Sequence, residues 1–353
     1  MSRPFDPSAA AAPHSGIFGL PHGPDEAHVH VLPIPFDATA SYRKGAWKGP
    51  AAIRQASRQV DLYDLATGRP YEVGICLLGD EGGEIGRRNR EASELFDRES
   101  AAGGEVRDDL ARGAALERVN ALGGELNALV RDRTRAVLQA GKLPALVGGD
   151  HSTPFGGIEA ACELHPGLGL LHFDAHADLR VAYEGFVWSH ASILHNVVER
   201  LPAVTRVVQV GVRDLCGEEH DAIRCSGGRV ITLFDREWQQ AKLTTRRDLR
   251  ALVRRQLAAL PHRVWLTFDV DALDPSLCPS TGTPVPGGLS WADAELWLEE
   301  LSGSGREVVG LDLSEVNPGP AWDPHRAMDD SWDAIVGARL LYRLIASALA
   351  SRR

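Results

Sequence analysis

Three short runs hold most of the residues able to do chemistry. In LHFDAHADLR, residues 171–180, Asp174, His176 and Asp178 stand two apart at the end of an apolar stretch. An extended segment has a side-chain period of two, so the spacing predicts three donors on one face. Like carboxylates held together repel unless a cation neutralises them, which points to a metal rather than to a solvated polar loop. WLTFDVDALDPS, residues 265–276, repeats the pattern with Asp269 and Asp271. VGGDHSTP, residues 147–154, adds His151 after a third apolar run, with Gly148 and Gly149 available for a tight turn. A histidine there would mean little without the other two runs.

The donor types narrow the metal. Two imidazoles and four carboxylates without a thiolate argue against structural zinc, which usually recruits cysteine. Oxygen-rich sites with some imidazole suit Mn²⁺, with Ni²⁺, Co²⁺ or Fe²⁺ as alternatives. Four carboxylates balance two divalent ions, and such a pair roughly 3.5–4 Å apart generates a bridging hydroxide at neutral pH. The residues therefore predict a hydrolase with two divalent ions, Mn²⁺ first and Ni²⁺ second.

GGDHS, DAHAD and FDVDALDP together resemble the arginase–agmatinase (ureohydrolase) family. PIPFDATASYRKGAWKGPAAIRQAS (33–57), TGTPVPGGLS (281–290) and LDLSEVNP (311–318) extend the likeness over roughly residues 28–350. The resemblance implies hydrolysis of a guanidino compound to urea and an amine. It also implies metal binding by His151, Asp174, His176, Asp178, Asp269 and Asp271, with Asp178 counted in catalysis as well. WSHAS places His190 where the agmatinase-type motif carries a proton-shuttling histidine. A departing amine needs a proton, and an imidazole can supply it. Glu315 matches the glutamate that pairs with the guanidinium and orients it. Homotrimers or homohexamers are usual in this family and are expected here on that ground.

Departures from the pattern bear on the substrate. Arginases carry an asparagine where this chain has Arg180, and DLR resembles the formimidoylglutamases, in which that arginine reads a carboxylate. Ala191 replaces the usual glycine after His190, and Phe186 and Trp188 precede it. Trp188 either walls the substrate pocket or merely packs. Agmatine-like cations rank first, guanidino acids such as guanidinobutyrate second because Arg180 could pair with them. Guanidine ranks third and formimidoylglutamate fourth. A silent partner subunit in a mixed oligomer and a metallo-deacetylase are outside readings, and the full ligand set counts against both.

Positioning these residues requires a sheet. Short apolar runs recur at 28–33, 73–78, 143–147, 168–173, 206–212, 229–233, 263–270 and 307–313, each reading as a buried strand. Amphipathic stretches at 51–62, 117–140, 191–200, 245–259, 291–300 and 332–350 read as helices. The alternation predicts a three-layer α/β/α fold with a mostly parallel sheet of about eight strands. The chemical positions all follow strand ends, where open α/β sheets bind ligands. Residues 1–27 read as a flexible arm or subunit-contact segment, and 28–353 as one domain. The charged insert at 81–114 reads as a loop excursion or a helical hairpin.

The bulk numbers are compatible. The chain has 353 residues, a formal net charge of −10 and no long Lys/Arg run, so nucleic acid and anionic membranes are not expected partners. Five widely spaced cysteines fit reduced thiols better than a disulfide framework. No signal-peptide core or bilayer-length apolar run is apparent, and the chain reads as cytoplasmic.

Overall fold

The computed structural model describes residues 5–12, 15–79, 83–101, 109–244, 248–326 and 331–353. Its centre is an eight-stranded sheet in the order β2-β1-β3-β8-β7-β4-β5-β6. The strands are β1 (Val29–Ile34), β2 (Ile75–Leu77), β3 (Leu143–Gly148), β4 (Leu168–Phe173), β5 (Val204–Val210), β6 (Val230–Leu233), β7 (Arg263–Asp269) and β8 (Glu307–Ser314). All adjacent pairs run parallel. Strands in such a sheet are covered on both faces, which explains their nearly continuous apolar sequence. β3 and β4 are buried at every residue.

Helices cover both faces and give two cores. On one side pack α1 (Gly49–Ala56), α7 (Asp235–Thr244), α8 (Leu249–Ala258), α9 (Trp291–Ser302) and α10 (Trp332–Ala350), contributing Ile53, Trp238, Val253, Trp297 and Leu341. On the other pack α2 (Glu84–Ala101), α3 (Asp109–Gln139), α4 (Phe155–Leu164), α5 (Ile193–Arg200) and α6 (Gly217–Cys225), with Ile85, Leu126, Ile158, Leu194 and Ile223 facing the sheet. The three layers and the parallel sheet agree with the expectation from sequence.

Several details differ. The insert expected at 81–114 is helical where described, with α2 packed on the early part of α3; the remainder of it lies outside the described residues. The helix expected over 245–259 begins at Leu249, and 245–247 lie outside the described residues. Part of the expected N-terminal arm is packed. Ile17, Phe18 and Leu20 are buried, the Phe18 ring lies 4.9 Å from Tyr342, and the Phe18 N–H donates to Ser57 Oγ. No helix among the described residues is long and apolar enough to cross a membrane.

Candidate metal centre

Sheet order explains why residues so far apart in sequence meet. β3, β8, β7 and β4 are neighbours, and their carboxyl ends carry His151, Glu315, Asp269 with Asp271, and Asp174 with His176 and Asp178. Adjacent strands lie about 4.8 Å apart, so four strand ends span one small-molecule site.

The donors converge on one another. His151 Nδ1 lies 2.9 Å from Asp174, 3.4 Å from Asp178 and 3.2 Å from Asp269. His176 Nδ1 lies 3.4 Å from Asp174 and 3.1 Å from Asp271. Asp174 belongs to both groups of candidate metal donors. His151 and the four aspartates are buried, whereas the His176 side chain is 25% exposed.

The local backbone departs from the extended geometry that the spacing suggested. Asp178 has φ 54°, a left-handed kink that turns its carboxylate back toward His151. Asp271 lies in a 3₁₀ turn, Val270–Ala272, whose N–H at Asp271 is capped by Asp269 Oδ1 at 2.8 Å. Glu315 has φ 63°. Non-glycine residues in this region are costly and cluster at functional sites. Gly148 and Gly149 serve close approach rather than a turn dihedral: a Cβ on Gly149 would stand 1.9 Å from the Phe36 carbonyl oxygen.

Burial, followed by the Asp174 charge, pushes the Asp178 carboxyl up to about 8. Burial and then the neighbouring Asp271 and Asp174 push Asp269 well above the usual carboxylate range. Burial of crowded carboxylates is favourable only with compensating cations. Four carboxylates and two imidazoles at one buried locus fit a pair of divalent ions of the oxygen-preferring class.

Glu315 is buried beside this cluster, its Oε1 accepting the His151 N–H at 3.0 Å. The TGTP segment closes over it. Thr281 Oγ1 donates to the Glu315 carbonyl at 2.9 Å, and Thr283 Oγ1 reaches Asp271 at 3.4 Å. Gly282 passes close beside Glu315: a Cβ there would lie 3.4 Å from Oε2 and 3.3 Å from the Tyr42 carbonyl oxygen. His190 starts the turn before α5, with Nδ1 3.5 Å from Ser189 Oγ and its ring 6.1 Å from Tyr183. Burial, then the His176 charge, lowers its pKa to about 4, so the imidazole is neutral at pH 7.

The two substrate-contact expectations fare differently. Arg180 is 38% exposed, with Nε 3.7 Å from Glu219 and its guanidinium 5.5 Å from the Tyr183 ring centre. Of the two readings of Trp188, the contacts the structure gives its ring are packing contacts. Its ring packs on Phe155 at 4.9 Å, lies under the Arg200 guanidinium at 4.7 Å, and abuts Gly123. These are contacts of the helix layer, made because α3 carries a glycine where a side chain would clash.

His172, Gln209, Thr267 and Asp312 were missed from the sequence, although His172 lies within 4.8 Å reach of the ligand atoms. The period-two logic extended one step backward finds two of them, because His172 and Thr267 stand two residues before Asp174 and Asp269.

The arginase family model matches residues 27–346. An N(1)-aminopropylagmatine ureohydrolase of Thermus thermophilus is 35% identical over 305 residues, covering 86% of this chain and 87% of that protein. A guanidinobutyrase of Pseudomonas aeruginosa is 29% identical over 92% of this chain and 89% of its own length. The crystal structure of the agmatine ureohydrolase of Thermoplasma volcanium superposes with a TM-score of 0.67 at 25% identity, covering 93% of this chain and 92% of that one. The ligand geometry and these likenesses lead to one conclusion: the chain belongs to the arginase family and is an agmatinase-like hydrolase of amidine C–N bonds.

Proposed function

We propose that the chain cleaves an agmatine-like guanidino cation to urea and an amine, using two divalent ions, Mn²⁺ first. Held by His151, Asp174, His176, Asp178, Asp269 and Asp271, such ions supply an activated water and stabilise developing negative charge. Glu315 binds the guanidinium through charge-assisted hydrogen bonds and fixes its plane beside the ligand cluster. Asp178 accepts a hydrogen bond from the attacking water. With Nδ1 facing Ser189, His190 takes up a proton at Nε2 and returns it to the leaving nitrogen.

The observation that carries the choice of a cation is the pairing of Arg180. Glu219 and the Tyr183 ring already engage it, so it offers less to a substrate carboxylate than an unpaired guanidinium would. The 35% identity to the aminopropylagmatine enzyme supports the same choice. A guanidino-acid reading is favoured by the exposure of Arg180 and by the Pseudomonas relative.

A urea-release screen separates them. Agmatine, N(1)-aminopropylagmatine, guanidinobutyrate, guanidinopropionate, arginine and guanidine are tested with Mn²⁺ and Ni²⁺ in turn. The cationic amines should give the highest kcat/KM, and Arg180→Ala should change their values less than tenfold. A dominant guanidinobutyrate activity that Arg180→Ala abolishes would replace this reading, and a complete blank would favour a silent subunit.

A further inference from the structure

One registered row of polar side chains crosses the sheet beneath the metal centre. Thr232, Gln209, His172, Thr267 and Asp312 are successive partners on β6, β5, β4, β7 and β8. Partners in parallel register project to the same face, so these side chains form a continuous line. His172, Gln209, Thr267 and Asp312 are all fully buried. A buried polar line inside an apolar sheet is costly unless its groups are satisfied and used.

The hydrogen bonds in the row have a forced direction. Gln209 Nε2 lies 2.9 Å from the Ala177 carbonyl oxygen, which can only accept. That fixes the amide orientation, and Gln209 Oε1 accepts from Thr232 Oγ1 at 2.8 Å. The same Nε2 lies 3.2 Å from His172 Nδ1, so Nδ1 presents its lone pair. The His172 proton is therefore on Nε2, which lies 3.0 Å from Asp174 Oδ2. Asp174 Oδ1 accepts the His176 N–H, so two donors hold its two oxygens.

The other half of the row acts on His151. Its Nδ1 faces Asp174, Asp178 and Asp269, leaving Nε2 to donate to Thr267 Oγ1 at 2.9 Å. Thr267 passes the polarity on to Asp312 Oδ1 at 2.9 Å, and Trp265 Nε1 donates to Asp312 Oδ2 at 2.6 Å. The His151 and His172 rings stack 5.3 Å apart.

We propose that this row sets both tautomers. Thr267 and Asp312 hold His151 with Nδ1 free to bind metal, while Gln209 holds His172 as a hydrogen-bond donor to Asp174 rather than as a seventh ligand. His172, Gln209 and Thr267 are positioning residues for the two-ion site, and this role rests on the metal reading above. Partners of this kind typically contribute 10–100-fold in metal affinity.

The test is Mn²⁺ titration of metal-stripped protein, with the Co²⁺ visible spectrum as a ligand count. The wild type should bind two ions per chain; fewer would refute the metal reading itself. His172→Phe, Gln209→Leu and Thr267→Val should each still bind two, with a dissociation constant raised about 10–100-fold. The Co²⁺ band positions of His172→Phe should stay at their wild-type values, and His172→Gln, which restores an N–H donor, should recover part of the affinity. Thr267→Val is nearly isosteric, so it remains informative if His172→Phe fails to fold. Wild-type affinity in all folded variants would overturn the proposal. So would a loss of one ion, or a shifted Co²⁺ band, in His172→Phe, because His172 would then be a ligand.

Discussion

Identical residue types take different tasks here because their surroundings differ. Of the histidines near the centre, His151 and His176 face carboxylates, His172 faces one carboxylate and an amide, and His190 faces a serine hydroxyl and a tyrosine ring. The His190 surroundings suit proton transfer rather than metal binding. His190→Ala should therefore lower kcat about 10²–10⁴-fold while two Mn²⁺ remain bound per chain. Steady-state urea release paired with metal analysis checks this. An equal loss of metal and activity would mean that His190 supports the site instead of moving a proton.

At the scale of elements, the site depends on backbones packed too closely for a side chain. Gly149 brings the strand that delivers His151 against Phe36, and Gly156 lets α4 meet the backbone of α3, where a Cβ would stand 2.1 Å from the Asn127 carbonyl oxygen. Gly149→Ala should destabilise by about 1–3 kcal/mol or more, with weaker Mn²⁺ binding because the His151 loop shifts. Gly303→Ala is the control, since nothing lies within 4 Å of its Cβ and its φ is −96°. Urea-denaturation midpoints compare the two; equal midpoints would show that the loop absorbs the methyl without strain.

The same elements show what sequence can reveal. Strands buried on both faces leave a plain apolar signature, so all eight were recognisable, with ends shifted by up to two residues in most. α10 carried a clear stripe and was located at both ends. α4 was missed because FGGIEAACEL is buried along most of its length and has no polar stripe to mark a period. α6 and α7 are short and mostly polar, resembling loops. The six proposed ligands were legible as a candidate set because chemistry restricts their types. The polar row was not, because registry across β6, β5, β4, β7 and β8 is set by tertiary strand order, which no local pattern encodes. Trp188 faced the same difficulty: only the packing of α3 decides which way its ring turns.

For the whole molecule, folding gathers an acid cluster that the protein does not neutralise by itself. In the metal-free protein, burial, with Asp174 next, raises Asp178 to about 8; burial also raises Asp269 and Glu315 well above the ordinary carboxylate range. Unfolded carboxyls titrate near about 4. Between those values these acids hold more protons folded than unfolded, so their contribution to metal-free stability falls as pH rises from about 4 to about 8. Histidines lowered by burial, His190 to about 4 and His172 among them, oppose it below the ordinary imidazole range. His151 and His176, raised despite burial by their carboxylate partners, add the same sign above the ordinary imidazole range. Asp174 is lowered, since its histidine partners outweigh burial, and it opposes the trend only in acid, where its contribution is lost. Divalent ions need the deprotonated ligands, so binding reverses the dependence. Chelator-treated protein should melt progressively lower from pH 7 to pH 8, above the range in which the lowered histidines act, and added Mn²⁺ should raise the midpoint most at pH 8. Asp178→Asn should flatten the metal-free slope, because an amide cannot take up the proton. Thermal melts at four pH values, with and without metal, decide the matter. A gap between the two forms that stays constant with pH would show that the buried acids find their compensation inside the protein rather than from bound cations.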